Sequence, residues 1–529
     1  MPFVRFGGDA FAQAMGPIFI ENLADLRMKV DDGSGEYPRG MLHTSTLPHP
    51  GTCYYDQMWS RDAGRALQEL ARYGLLDEAR SVVDYILSCR TFGDHWGRTV
   101  NMPLGDLETD GNTHLLLGIY ATWDACGRHP AEAKRYVEAC TDILRWFVRV
   151  MDECPWGDLV GCASELSGDP ERTIYAIFPS YGVWTCLKAF GEMAQAAGLD
   201  AAWLEKQADR LEQGMLQALV IGDGERAGCW LNGLNAADGS PADTGDFCGT
   251  RFDISRWTRQ LPFIQDYDRG VTHATPALDA VHRASYALVR HGMAQGLYFR
   301  KYGFVSCTCW AGIGQRHDDS MAGYGQNYMT QAALLQDDVA GYGKCLEGIA
   351  RLAFDGNVLE PGSFEMNPWV MHECFSYERY EQALDHTFAT AENPGDEGNM
   401  VQAAETLKSI ALVLGLRAGK EGGLWVTPRL PWTWDDAEAR DLPVTLADGR
   451  RLRVNLRFTH ERWLRRTTLR LNFDQAPGLL RLRFGPYPLV LDGERELAQR
   501  YRIERAGGAS WLWLEADCPG TAFEHVVQR

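Results

Sequence analysis

The sequence predicts a mainly α fold, a closed ring of paired helices, followed by a smaller antiparallel β module. Three observations carry that expectation. Helical periodicity recurs in pairs between Arg61 and Leu416, helices that are apolar all round alternate with one-sided ones, and period-two alternation takes over after Gly422.

The first pair places Ala63, Ala66, Leu67, Leu70 and Ala71 on one face. Gly74 breaks it, and Ala79, Val82, Val83, Ile86 and Leu87 form a second face. The next pair runs from Asp110 to Trp123, apolar nearly all round. Gly127-Arg-His-Pro130 stops and restarts the chain, and a one-sided helix follows with Tyr136, Val137, Cys140, Ile143, Leu144 and Phe147. Further pairs are predicted at 180–194 with 200–216 and at 321–336 with 338–354, together with single helices at 277–295 and 399–416. The stretch from 222 to 313 is irregular apart from the helix at 277–295. Pairs recurring at roughly 45 to 70 residues, with the all-apolar partner inside, point to an (α/α)6 barrel. Segments such as Arg451-Leu-Arg-Val-Asn-Leu-Arg-Phe458 and Thr467-Thr-Leu-Arg-Leu-Asn-Phe473 alternate with period two and predict a sandwich-like antiparallel module. The expected division is a barrel over 1–420 and a β domain over 421–529.

A chain of 529 residues is long enough for two such units. Its formal charge of −19 argues against nucleic acid, which is bound by neutralising phosphates with Lys and Arg. No run of about twenty apolar residues is present, so no membrane span is expected. The N-terminal stretch lacks the pattern of a secretory signal. The 14 Cys are scattered, apart from Cys307 and Cys309, without paired ligand spacing. Reduced thiols, a cytoplasmic location, and neither a metal nor a cofactor are expected. The 17 Trp and 20 Tyr often lie beside Gly, Pro, Asp or Asn, the setting of platforms that stack on sugar rings. A small carbohydrate is therefore the expected partner.

The unusual residues gather where inner helices begin. Tyr54-Tyr-Asp-Gln-Met-Trp-Ser-Arg-Asp62 precedes the first, with Trp59, Arg61 and Asp62 as candidate sugar contacts, and Asp110 opens the second. Asp62 and Asp110 each suit a helix N-cap as well as hydroxyl binding. Glu165 and Asp169 stand four residues apart between the second and third pairs, and Glu373 follows His372 before the last inner helix. His317 and Gln326 sit at another inner-helix start, and Trp156, Trp184, Trp230, Trp257, Trp310 and Trp369 are candidates to stack on sugar faces. A protonated carboxyl paired with an ionised one is what glycoside hydrolysis requires, and a ring fold brings distant loops to one mouth.

The string YYDQMWSRDAGRALQELARYGLLDEAR resembles the opening of the six-hairpin glycosidases, which include trehalases, glucoamylases, processing α-glucosidases, α-rhamnosidases and exo-mannosidases. The resemblance covers roughly residues 50 to 435 and lies more in layout than in identity. It implies that Trp59, Arg61 and Asp62 bind sugar hydroxyls at the subsite of the cleaved residue. It also implies a general acid in Glu165-Leu-Ser-Gly-Asp169 with Arg172 behind it, and a base at Glu373 in His372-Glu373-Cys374-Phe375. The trehalase string has a Trp before its Asp that this chain lacks, so either Asp169 or Glu165 fills the acid role. The expected activity is an exo-acting, inverting glycoside hydrolase. The alternatives are a phosphorylase, an α/α-barrel lyase or epimerase using His114, His282 or Tyr181, or a non-catalytic carbohydrate-binding protein.

Overall fold

The computed structural model describes residues 1–44, 58–89, 109–161, 174–242, 275–305, 321–322, 324–354, 369–371, 375–376, 399–419 and 422–529. A short strand β1 (Phe3–Gly8) leads into α1 (Ala10–Met28). Then come α2 (Ser60–Arg72), α3 (Leu76–Cys89), α4 (Thr109–Ala125), α5 (Pro130–Asp152), α6 (Ile177–Ala196) and α7 (Ala202–Ala218). They are followed by α8 (Pro276–Gln295), α9 (Leu297–Tyr302), α10 (Tyr324–Leu335), α11 (Val339–Phe354) and α12 (Met400–Leu414). No helix among the described residues is long and apolar enough to cross a membrane.

Helices α2, α4, α6, α10 and α12 form the inner layer, and α1, α3, α5, α7, α8 and α11 lie outside it. Burial follows the predicted patterns. Every residue of α12 is buried, whereas α3 buries Ala79, Val82, Val83 and Ile86 and exposes its other face. Local signals set the ends. Asn399 caps α12 by accepting from the Val401 and Gln402 N–H groups, and Pro130 opens α5 after Gly127 takes φ +94°. The third inner helix starts three residues before its predicted position, at Ile177. Met321 and Ala322 pair as a strand with residues 375–376 instead of opening α10.

The inner helices run parallel, as their contacts show. Arg65 of α2 reaches Glu405 of α12, and Asn327 of α10 reaches Thr406. Helices α2 and α4 approach so closely that a Cβ on Gly64 would lie 2.2 Å from the His114 carbonyl carbon. We expect Gly64→Ala to destabilise the protein. The gain of about 1 kcal/mol in helix propensity is outweighed by overpacking that costs about 1–3 kcal/mol, and backbone contact leaves little room to relax. Thermal unfolding checks this, and a variant as stable as the parent would remove the close-approach explanation.

The remaining strands are β2 (Ile174–Ala176), β3 (Gly233–Asn235), β4 (Pro241–Ala242), β5 (Met321–Ala322), β6 (Phe375–Ser376), β7 (Leu416–Ala418), β8 (Leu424–Val426) and β9 (Trp434–Thr445). The chain ends with β10 (Arg451–Glu461), β11 (Arg466–Phe473), β12 (Gly478–Tyr487), β13 (Arg502–Ala506), β14 (Ala509–Cys518) and β15 (Ala522–Gln528). They build two five-stranded sheets, ordered β1-β9-β10-β11-β15 and β13-β14-β12-β8-β7, with β2-β3-β4 and β5-β6 as small separate sheets. Strand β10 buries Leu452, Val454, Leu456, Phe458 and His460 in strict alternation. The Tyr487 hydroxyl of one large sheet donates to Thr467 Oγ1 of the other at 2.9 Å, closing the sandwich. Two features depart from a simple C-terminal antiparallel module: β8 pairs parallel to β12, and the N-terminal β1 adds itself to β9.

The sandwich is fastened to the barrel at Asp337, in the turn between α10 and α11. Its carboxylate accepts two 2.7 Å bonds from Arg483 and one of 3.0 Å from Arg429. Burial works against the charge, but the two guanidinium groups outweigh it and hold the carboxyl below its usual range. Gly507, at φ +57°, lets the β13–β14 hairpin sit against the Asp337 carbonyl, where a Cβ would stand 1.7 Å from the oxygen.

Candidate functional site at the N-terminal mouth of the barrel

Parallel inner helices gather their free N–H groups, and the associated partial positive charge, at one end of the barrel. Trp59 is the N-cap residue of α2, with extended backbone and no side-chain capping bond. Its N–H donates to Thr44 Oγ1 at 3.5 Å, and the Thr44 carbonyl accepts from Met400 at 3.0 Å. Thr44 thereby ties the starts of α2 and α12 together. Asp62 lies in the first turn of α2 and is not its cap. Its Oδ1 accepts from Arg61 Nε at 3.2 Å, with the two side chains only 4% and 7% exposed.

Asp110 is the second residue of α4. After it come Asn112, Thr113 and His114, all buried, and the His114 ring lies 6.2 Å from that of Phe178 in the first turn of α6. The starts of α2, α4, α6 and α12 therefore contribute a buried polar group each or an aromatic one to the same end.

Two loop roots meet this end as well. Gly161 bridges to Tyr175 of β2, and its carbonyl accepts from Thr109 Oγ1 at 3.3 Å. Strand β2 runs straight into α6. On the other side, buried Asn22 of α1 donates from Nδ2 to the Trp369 carbonyl at 2.8 Å and accepts from the Met371 N–H at 3.3 Å. Phe375 pairs with Ala322 of β5, just before α10. These described residues flank the segments 162–173 and 372–374. Glu165, Asp169, His372 and Glu373 themselves lie outside the described residues, as do Trp257, Trp310, His317 and the side chain of Asp110.

Other expected contacts have different surroundings. Gln326 is fully buried and spends its amide on main chain: Oε1 accepts from the Val305 N–H at 2.8 Å, and Nε2 donates to the Cys345 and Gly303 carbonyls at 2.8 and 3.2 Å. It staples α10 to its neighbours, which corrects the expectation that it binds substrate. Trp184 is buried against Tyr181 within α6, and Trp230 donates from its indole to His282 Nδ1 at 3.0 Å. Both are core residues. That bond leaves the His282 proton on Nε2, 3.2 Å from the Tyr181 hydroxyl. Burial drives the His282 pKa down to about 3.

The residues that sequence reasoning missed lie below the mouth. Glu405 of α12 accepts from Gln331 Nε2 at 2.6 Å and forms ion pairs with Arg65 Nη1 at 3.0 Å and Lys408 Nζ at 3.4 Å, with Arg65 standing over the Tyr328 ring. All are buried. Burial alone would raise the Glu405 pKa, but Arg65 and Lys408 outweigh it and lower the pKa. The signal in the sequence is the spacing Gln402, Glu405, Lys408 on a helix whose other residues are apolar or small hydroxyls.

No family model matches the chain, and no curated relative matches it. Solved structures do. The chain superposes over 99% of its length on the α-L-rhamnosidase of Streptomyces avermitilis, solved in complex with L-rhamnose, with a TM-score of 0.54 and 13% identity, covering 42% of that protein. A GH78 family rhamnosidase of Bacillus sp. GL1 matches 87% of the chain at a TM-score of 0.53 and 14% identity, with 40% of that protein covered. The chain spans about two fifths of the length of these proteins. By fold, it is an α/α barrel with a C-terminal β domain, the architecture found in these glycoside hydrolases.

Proposed function

We propose that this protein is a glycoside hydrolase that acts at the N-terminal mouth of the barrel, exo-acting and inverting, on a small glycoside. The observation that carries the reading is the buried Arg61-Asp62 pair beside half-buried Trp59 at the start of α2, set in a fold shared with α-L-rhamnosidases. In the proposed reaction, Asp169 or Glu165 donates a proton to the leaving oxygen, and Glu373 takes a proton from the water that attacks the anomeric carbon. The anchoring of Gly161 and Tyr175, and of Trp369, Met371 and Phe375, supports loops rooted at that mouth. Arg61 and Asp62 bind hydroxyls of the sugar to be released.

A lyase or epimerase based on His282 has little support, since both ring nitrogens are engaged and the ring binds a proton only in strong acid. The test is a panel of p-nitrophenyl glycosides, beginning with the α-L-rhamnoside that the S. avermitilis complex suggests. Turnover of one member is expected without added phosphate. Removing a charged hydrogen-bond partner costs about 1.5–3 kcal/mol, so Asp62→Asn should lower kcat/KM roughly ten- to a hundredfold. Turnover that requires phosphate would replace hydrolysis by phosphorolysis, and full activity in Asp62→Asn would remove it from the sugar subsite.

A further inference from the structure

The opposite end of the barrel holds a cavity of about 700 Å³, between the C-terminal ends of α2, α4 and α6 and the β7, β9 and β10 edge of the sandwich. It is large enough for a monosaccharide. Most charged groups around it are already paired. Arg72 is held by Glu69, Arg128 by Asp124, and Glu192 accepts from the Tyr120 hydroxyl at 2.7 Å. Two lining residues are exceptions. Gln68 is 1% exposed, and neither its Oε1 nor its Nε2 has a hydrogen-bond partner. Arg451, half-buried at the start of β10 over Gly74, has no carboxylate within ion-pair reach among the described residues.

We infer that this cavity is a second binding site, for a monosaccharide bearing one anionic group, with Arg451 receiving the anion and Gln68 the hydroxyls. A buried amide without partners costs about 1–3 kcal/mol, and a hydroxyl, donor and acceptor at once, satisfies both of its atoms. The unclaimed guanidinium selects for an anion. Burial, together with nearby Arg453 and Arg80, lowers the Arg451 pKa, so an arriving carboxylate or phosphate relieves an unfavourable charge. A ligand there touches both barrel and sandwich and so stabilises their union. The inference stands independently of the chemistry at the mouth.

Calorimetric titration of the full chain tests it, with D-glucuronate and D-glucose 6-phosphate as probes and D-glucose and inorganic phosphate as controls. At least one anionic sugar is expected to bind at least tenfold more tightly than either control and to raise the Tm in a saturable way; which one binds separates carboxylate from phosphate. Arg451→Met should weaken that binding at least tenfold. Ala121→Leu, which fills the cavity without touching a charge, should abolish it. Asp62→Asn at the mouth should leave it unchanged. Failure of both anionic sugars to bind, binding indifferent to Arg451→Met and Ala121→Leu, or loss of binding in Asp62→Asn would each overturn the proposal.

Discussion

Glu373→Gln is expected to lower kcat by about 10²- to 10⁴-fold, the usual contribution of a positioned acid or base, with thermal unfolding unchanged. The amide keeps the size of the side chain but cannot take the proton from water, so the chemical step fails while binding persists. KM should therefore change far less than kcat. The stereochemistry supplies an independent readout, because a base that activates water directly releases the sugar with its anomeric configuration inverted, as proton NMR of the first product shows. Undiminished turnover in Glu373→Gln would remove the residue from the mechanism, and a retained configuration would assign it a nucleophile's role. If Asp169 is the acid, Asp169→Asn should spare substrates with good leaving groups, which need little protonation, and slow those with poor ones, and Glu165→Gln should show no such dependence on the leaving group. The reverse pattern selects Glu165.

Glu405→Gln is expected to cost about 3–5 kcal/mol of stability, as is usual when one partner of a buried ion pair is removed. The substitution leaves Arg65 and Lys408 charged within the inner layer, 0% and 1% exposed at their side chains. The pH dependence separates this cause from simple loss of packing. Glu405 has a lowered pKa in the folded protein, so its contribution is complete above the unfolded value near 4.5 and is lost as pH falls through the folded value. Unfolding in urea at pH 7 should show the full difference between parent and variant, and the difference should shrink on acidification below that window. A difference that stays constant with pH would attribute the loss to packing instead.

The barrel was legible because its inner and outer helices have different burial, and burial writes itself into the apolar pattern. Helix α12 has no exposed face because it is covered on every side, and α3 is one-sided because half of it meets water. The alternation of β10 likewise follows from one covered face. Less was legible where a residue's partner lies far away in sequence. Glu405 and Arg65 stand 340 positions apart and meet only when the ring closes. Gln326 has the polarity and position of a sugar ligand, yet its partners are three main-chain groups that only packing could identify.

By itself the sequence determined the paired helices from α2 to α7, the helices α8, α10, α11 and α12 and the long strands β10 and β11, since each follows from periodicity within a dozen residues, whereas α1, β1 and the short strands were not read from it. It also indicated that the chemistry-bearing residues cluster where inner helices begin. The tertiary structure decided what those residues face. Parallel inner helices bring Thr44, Trp59, Asp62, His114 and Asn399 to one end, β1 crosses from the N-terminus into the sandwich, and the far end of the ring is left with Gln68 and Arg451 around a cavity. Such outcomes depend on close approach between segments remote in the chain, and no local pattern encodes the distance between two helices.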